Sequence, residues 1–87
     1  MSDYCVYVLR NEEGRHYIGL SEDPGRRLLQ HNAGLSKWTR PHRPWKMVWQ
    51  KGPLSLGEAR KLENQLKRQG RGKGFYSITG LSRAKGP

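Results

Sequence analysis

The stretch Tyr4-Cys5-Val6-Tyr7-Val8-Leu9 decides the fold of this chain. Its residues favour extended backbone and are apolar on both faces, which is typical of a strand at the centre of a sheet that is covered on both sides. Turn-forming residues follow at positions 11–14, and residues 15–20 alternate loosely between polar and apolar side chains. The beginning of the chain therefore predicts a β-hairpin whose first strand is central.

A helix and a third strand are predicted after the hairpin. Asp23-Pro24 marks a helix start, because Asp can cap the helix and Pro at its first position has no amide hydrogen to leave unpaired. The helix is expected to end just before Gly34, which suits the left-handed conformation that commonly follows a helix. Residues 45–50 predict the third strand, with Met47 and Trp49 on the same face.

A second helix completes the predicted domain. Ser55-Leu56-Gly57-Glu58 is a capping box, and the helix that it opens is expected to end near Gly70. The predicted order is β-β-α-β-α, a small α/β (α+β) sandwich with a three-stranded, mainly antiparallel sheet flanked by helices. Residues 1–70 are expected to form this domain, and residues 71–87 a Gly-rich basic tail that is loosely, partly ordered.

The charge of the chain is large and uneven. The 87 residues carry 17 Lys and Arg against 7 Asp and Glu, and 13 of the basic residues but only 2 of the acidic ones fall within residues 36–87. A basic half of this kind attracts polyanions, and nucleic acid is the first candidate. An anionic membrane surface is not favoured, because no segment joins the basic charge to a broad apolar stripe.

Other classes of protein fit the sequence poorly. No apolar run approaches the ~20 residues that span a bilayer, and no signal-peptide pattern opens the chain, so we expect a cytoplasmic protein. Cys5 is the single cysteine, which excludes an internal disulfide. Cys5 and the histidines lack the spacing of a zinc site, and neither a phosphate-binding glycine loop nor a serine-hydrolase pattern is present.

Five scattered residues have the chemistry of a phosphodiesterase site. Tyr7 and Tyr17 lie on the two predicted hairpin strands, although strand tyrosines also serve simply in packing. Arg27 and His31 are four residues apart and share a helix face, as a solvated Arg beside a buried His also would. Glu63 lies among basic residues, where it can form surface ion pairs or hold a Mg²⁺ that keeps most of its waters.

The loop that precedes the third strand combines cations with an aromatic residue. Lys37, Arg40 and Arg43 can bind phosphates while Trp38 stacks on an unpaired base. The same loop can equally be solvated, with Trp38 packed against the sheet. The sequence leaves both interpretations open.

At these positions the chain resembles the GIY-YIG endonuclease family, especially its small stand-alone members. The resemblance covers about residues 4–67. Tyr17-Ile18-Gly19 matches one half of the family motif literally, whereas Cys5-Val6-Tyr7 replaces the other half and keeps only its tyrosine. In the family pattern an Arg precedes a His by four residues, which selects Arg27, and one Glu follows in a later helix, which selects Glu63.

The resemblance implies a metal-dependent endonuclease that hydrolyses DNA, with branched, flapped or damaged DNA as the expected substrate. It implies that Tyr7 takes a proton from the attacking water with the help of Tyr17 and His31, that Arg27 binds the scissile phosphate, and that Glu63 binds Mg²⁺, or Mn²⁺ in its place. The residues expected to contact DNA are Lys37, Trp38, Arg40, Arg43 and Lys67. Substrate choice is expected to come from the basic loop, from a protein partner or from oligomerisation, and the oligomeric state stays open. The alternative is a non-catalytic nucleic-acid-binding module that uses the same basic face.

Overall fold

An antiparallel hairpin forms the centre of the fold. The computed structural model describes residues 3–69 and 72–81. Strand β1 (Tyr4–Asn11) pairs with β2 (His16–Ser21) on one side and with β3 (Trp45–Leu54) on the other, both antiparallel. The strand order is therefore β2-β1-β3, and the prediction that the apolar N-terminal run is the central strand is confirmed.

The residues that the sequence predicts as helix caps have that role in the structure. Helix α1 (Pro24–Asn32) is capped by Asp23, whose carboxylate accepts from the backbone N–H of Arg26. Gly34 follows it with φ +83°. Helix α2 (Leu56–Gln69) begins with the reciprocal bonds of the capping box, since Ser55 and Glu58 each accept from the other's backbone N–H.

The sheet separates two apolar clusters. Val6 and Val8 of β1 face α2 and pack with its Ala59 and Leu66. The alternate residues Tyr7 and Leu9 face the opposite side, where they pack with Trp45 and with Leu28 of α1. Since strand side chains alternate in direction, this one strand supplies both layers of the core. The predicted small sandwich, a sheet flanked by helices, is confirmed.

The third strand differs from the prediction in two ways. It extends to Leu54, and a β-bulge interrupts its pairing with β1, because Trp49 lies opposite Val8 whereas Met47 lies opposite Leu9. Val8 and Leu9 point to opposite faces of the sheet, so Trp49 and Met47 do too. The expectation that Met47 and Trp49 share a face is wrong, since a bulge inserts one residue and shifts the alternation.

A third helix, which the sequence analysis did not include, follows α2. Helix α3 (Lys73–Thr79) buries Phe75 completely against the α2 side of the sheet and ends at Gly80, which has φ +74°. The element order is thus β-β-α-β-α-α. The expected helix end at Gly70 and the last part of the tail, residues 82–87, lie outside the described residues. Among the helices of the described part, none is long and apolar enough to cross a membrane.

Candidate active site

The hairpin brings Tyr7 and Tyr17 together. They lie on adjacent strands, in the register that pairs Tyr7 with Gly19 and Leu9 with Tyr17, and their ring centroids are 6.3 Å apart. Gly19 leaves the space that the Tyr7 phenol occupies, since a Cβ at Gly19 would lie 2.6 Å from the Tyr7 hydroxyl oxygen. The glycine of Tyr17-Ile18-Gly19 is therefore a packing requirement of the site, which the sequence analysis missed.

Helix α1 adds His31 to the two tyrosines. The His31 side chain is completely buried, and its Nε2 lies 3.1 Å from the hydroxyl oxygen of Tyr7. The centroid of the Tyr17 ring lies 4.7 Å from that of the imidazole. Four residues earlier on the same helix, the half-buried Arg27 donates to the side chain of Gln30 at 2.6 Å.

Burial and the Arg27 charge set the protonation of this cluster. Burial raises the pKa of Tyr7 above its ordinary 10.0, and the Arg27 side chain opposes this rise. Burial also lowers the pKa of His31 below 6.5, and here Arg27 acts in the same direction as burial. Both Tyr7 and His31 are therefore neutral at neutral pH.

A buried threonine contacts the other side of His31. The hydroxyl oxygen of Thr39 lies 2.7 Å from Nδ1 of the imidazole, and Thr39 is 1% exposed. The side chain of Asn32 bonds both the N–H and the C=O of Trp45, so that it ties the end of α1 to the start of β3. No local sequence pattern indicates a role for Thr39, because its contacts depend on how the loop between α1 and β3 folds.

Helix α2 supplies Glu63, whose side chain is 18% exposed and whose carboxylate lies 3.1 Å from Nζ of Lys67. Its charge contributes to the raised pKa of Tyr7, so the two groups are within electrostatic range although α1 and α2 cover opposite faces of the sheet. No set of three or more His, Cys, Asp or Glu side chains within the described residues could hold a metal ion. A lone, partly buried carboxylate fits Mg²⁺, which commonly binds through one or two carboxylates together with substrate phosphates.

The residues expected to contact DNA differ in their surroundings. Trp38 is 81% exposed, so the interpretation that packs it against the sheet is wrong. Trp38 borders a cleft of about 470 Å³ that Tyr17 and Trp45 also line. Arg43 is held by the loop itself, since its guanidinium donates to the carbonyl of Arg40. Of the remaining residues, Lys37 and Arg40 are exposed and Lys67 pairs with Glu63.

Comparisons with known proteins agree with this geometry. Residues 3–75 match the family model described as the GIY-YIG catalytic domain. A UPF0213 protein of Aeromonas hydrophila is 39% identical over 69 residues, which are 78% of this chain and 51% of that protein. A UPF0213 protein of Streptococcus pneumoniae is 42% identical over 67 residues, 76% of this chain and 68% of that protein.

A third relative carries a functional name. The structure-specific endonuclease subunit slx1 of Aspergillus terreus is 42% identical over 52 residues, which are 52% of this chain and 13% of that protein. The chain spans about half of the length of the Aeromonas relatives that it matches. No solved structure gives a significant match.

Proposed function

Since the chain belongs to the GIY-YIG catalytic-domain family, we propose that it is a metal-dependent endonuclease that hydrolyses phosphodiester bonds in DNA. The family match and the relative named as an endonuclease subunit support a nuclease domain. The observation that carries the proposal is the buried contact between Tyr7 and His31 beside the Arg27 guanidinium. It joins a proton-handling group to a cation that can bind a phosphate, as phosphodiester hydrolysis requires.

In the proposed reaction Tyr7 accepts the proton of the attacking water, and Tyr17 helps to position that water. A phenol is protonated at neutral pH and is then a poor base, and burial lowers the ionised fraction of Tyr7 further by raising its pKa. Nearby positive charge must therefore favour the phenolate. Arg27 supplies such a charge, and its planar guanidinium can also bind the scissile phosphate through two parallel bonds.

Glu63 is the proposed metal ligand. When bound there, Mg²⁺ or Mn²⁺ would supply positive charge that stabilises the phosphate during its displacement. Glu63 must first leave its ion pair with Lys67, whose ammonium would then be free to contact a DNA phosphate. Few protein ligands are needed, because phosphate oxygens and waters complete the coordination of Mg²⁺ in many enzymes.

A matched pair of carboxylates on α2 tests this assignment. We expect Glu63→Ala to abolish Mg²⁺-dependent cleavage of end-labelled DNA and to leave binding unchanged or tighter, because a negative charge is removed from a basic face. Glu58→Ala is the control, since Glu58 only caps the same helix through Ser55. Equal cleavage by wild type and Glu63→Ala would contradict the proposal.

The cleft beside Tyr17 supports the proposal of a substrate that contains unpaired bases. Its walls include the exposed Trp38 and the buried Trp45, and base stacking on an aromatic side chain contributes about 1–3 kcal/mol per base. We therefore propose flapped, forked or otherwise branched DNA as the substrate, bound also through Lys37 and Arg40. Trp38→Ala should remove the preference for flaps and forks over plain duplex in cleavage and in binding. Leu35→Ala, which alters another exposed apolar residue of the same loop, should leave this preference unchanged.

A non-catalytic nucleic-acid-binding module is the second candidate. The ion pair that engages Glu63 and the raised pKa of Tyr7 are the observations that favour it. This candidate predicts binding that weakens steeply with salt and no cleavage of any DNA with Mg²⁺ or Mn²⁺. A nuclease that needs a protein partner to select its substrate would instead cleave DNA once that partner is added. The word "subunit" in the name of the Aspergillus relative suggests such a partner for that protein.

A further inference from the structure

His31 is the middle member of a buried chain of three polar side chains. Its Nε2 lies 3.1 Å from the Tyr7 oxygen and its Nδ1 lies 2.7 Å from the Thr39 oxygen. None of the three residues is more than 1% exposed. A neutral imidazole has one N–H and one acceptor nitrogen, so both bonds must run in the same direction, either from Thr39 towards Tyr7 or the reverse.

The two distances favour the direction from Thr39 to Tyr7. Hydrogen bonds donated by O–H are typically about 0.2 Å shorter than those donated by N–H. The shorter contact, at 2.7 Å, is the one that joins Thr39 to His31, as expected if the Thr39 hydroxyl donates to Nδ1. The longer contact, at 3.1 Å, fits an Nε2–H that donates to the Tyr7 oxygen.

The hydroxyl hydrogens at the two ends of the chain bear on the same choice. Within the described part of the chain, Nδ1 of His31 is the single acceptor at hydrogen-bond distance from this hydroxyl. In the reverse direction the threonine hydrogen would be buried without an acceptor, at a penalty of about 1–3 kcal/mol. In the opposite direction the neutral Tyr7 hydroxyl has to place its own hydrogen, so the two contact lengths decide between the directions.

We propose that Thr39 is a positioning residue that holds His31 in the Nε2–H tautomer. His31 then donates a hydrogen bond to the Tyr7 oxygen and cannot receive the tyrosine proton through Nε2. On the proposed nuclease function, this hydrogen bond favours the phenolate of Tyr7 as the base and excludes a proton relay from Tyr7 to His31. The tautomer itself does not depend on the protein being a nuclease.

The loop that carries Thr39 is built to keep it in place. The Thr39 carbonyl accepts from the indole N–H of Trp45 at 2.9 Å and from the backbone N–H of His42 at 3.0 Å. The side chain of Asn11 donates to the carbonyl of His42, so that the hairpin also holds this loop. The basic loop thereby sets the hydrogen bonding of His31 as well as offering cations to DNA.

Nitrogen NMR of protein labelled with ¹⁵N-histidine tests the tautomer without any activity assay. Wild type should show His31 with an unprotonated, pyridine-like Nδ1 and a protonated Nε2, the signal being assigned by its loss in His31→Gln. Thr39→Ser should keep this pattern because it keeps the hydroxyl. Thr39→Val, which replaces the hydroxyl by a methyl group of similar size, should shift both nitrogens towards intermediate values. A protonated Nδ1 in wild type would overturn the proposal, even if the valine variant fails to fold.

Cleavage kinetics test the positioning role separately. Thr39→Val should lower kcat about 10-fold to 100-fold with KM unchanged, by analogy with the outer partners of metal-bound histidines, and Thr39→Ser should restore most of it. Wild-type kcat in a folded Thr39→Val variant would contradict a role in the reaction. If no variant cleaves any DNA, including wild type, the nuclease function fails while the NMR result still decides the tautomer.

Discussion

Replacing Gly19 by Ala should damage the site through one methyl group. Gly19 lies opposite Tyr7 in the hairpin register, and its backbone is not in the left-handed region, so the effect is steric and not conformational. The new Cβ would lie 2.6 Å from the Tyr7 oxygen, 2.7 Å from its Cζ and 3.1 Å from Cε2 of Tyr17. Contacts below 3.0 Å essentially never occur for real Cβ atoms, so a neighbour must move.

The size of the effect follows from how tightly Tyr7 is held. Ordinary contact begins at 3.4 Å, so the Tyr7 oxygen has to retreat by about 0.8 Å, the difference between 3.4 and 2.6 Å. The ring is 1% exposed and bonded to His31, and it therefore has no solvent to turn into. Overpacking of this kind lowers the free energy of unfolding by about 1–3 kcal/mol. A displacement of about 1 Å at a reacting group lowers a rate by about 10²-fold.

Urea unfolding followed by tryptophan fluorescence measures the first quantity, and cleavage of flapped DNA measures the second. Gly57→Ala is the matched control, because a Cβ at Gly57 meets nothing within 4 Å and alanine favours the helix by up to about 1 kcal/mol. An unfolding free energy of Gly19→Ala within about 0.5 kcal/mol of wild type, the range of neutral surface changes, would refute the steric argument.

Three further predictions follow from burial and hydrogen bonding. Phe75→Ala should lower the unfolding free energy by about 3–5 kcal/mol, since the ring is completely buried; a loss below about 1 kcal/mol would show that α3 is not docked. Ser55→Ala should lower the unfolding free energy by about 1 kcal/mol. Hydrogen bonds from Ser55 also lower the pKa of Glu58, so this variant should lose less stability than wild type when the pH falls. Burial lowers the pKa of His31, so the unfolded chain binds the proton more readily and stability should fall as pH drops below 6.5, by at most about 1.4 kcal/mol per pH unit. That pH dependence, measured by urea unfolding from pH 8 to pH 5, should be weaker in His31→Gln and retained in His42→Gln.

Features with a local cause could be predicted from the sequence. Asp23, Gly34 and the Ser55 capping box depend on backbone groups within a few residues, and each is found as expected. The bulge in β3 could not be predicted in this way, because it is defined only relative to the strand that β3 pairs with. Once that one residue is inserted, the alternation that a strand sequence displays no longer reports which face a side chain occupies.

Helix α3 is a case in which tertiary packing overrides local preference. Gly72 and Gly74 lower the intrinsic helix propensity of this segment, which is why the sequence favoured a loosely ordered tail. The structure places Phe75 at 0% exposure, with its ring centroid 5.1 Å from that of His16 on β2. Burial of one large aromatic side chain contributes about 1.5–3 kcal/mol, which exceeds the roughly 1 kcal/mol that one glycine removes. The partner that provides this burial is distant in sequence and invisible to a local pattern.

The residues of the candidate site also fall into two groups, those that a sequence motif indicates and those that only the folded structure brings into contact. Tyr7, Tyr17, Arg27 and His31 could be selected because a motif names their order, and the structure brings them into one cluster. Their catalytic roles stay predictions, as does that of Glu63. No such motif indicates Thr39, because its contact with His31 forms only when the loop folds over the imidazole.

One guanidinium acts on both proton-handling groups of the cluster. Arg27 lowers the pKa of Tyr7, against the effect of burial, and it lowers the pKa of His31, in the same direction as burial. Both effects favour the deprotonated form of each group, a phenolate beside a neutral imidazole, whereas burial keeps the Tyr7 phenol neutral at neutral pH. The hydrogen bond that Thr39 directs through His31 towards the Tyr7 oxygen also favours the phenolate. The Arg27 charge and the hydrogen bonding of the site, which arise from different elements of the fold, therefore act together on Tyr7 against the effect of burial.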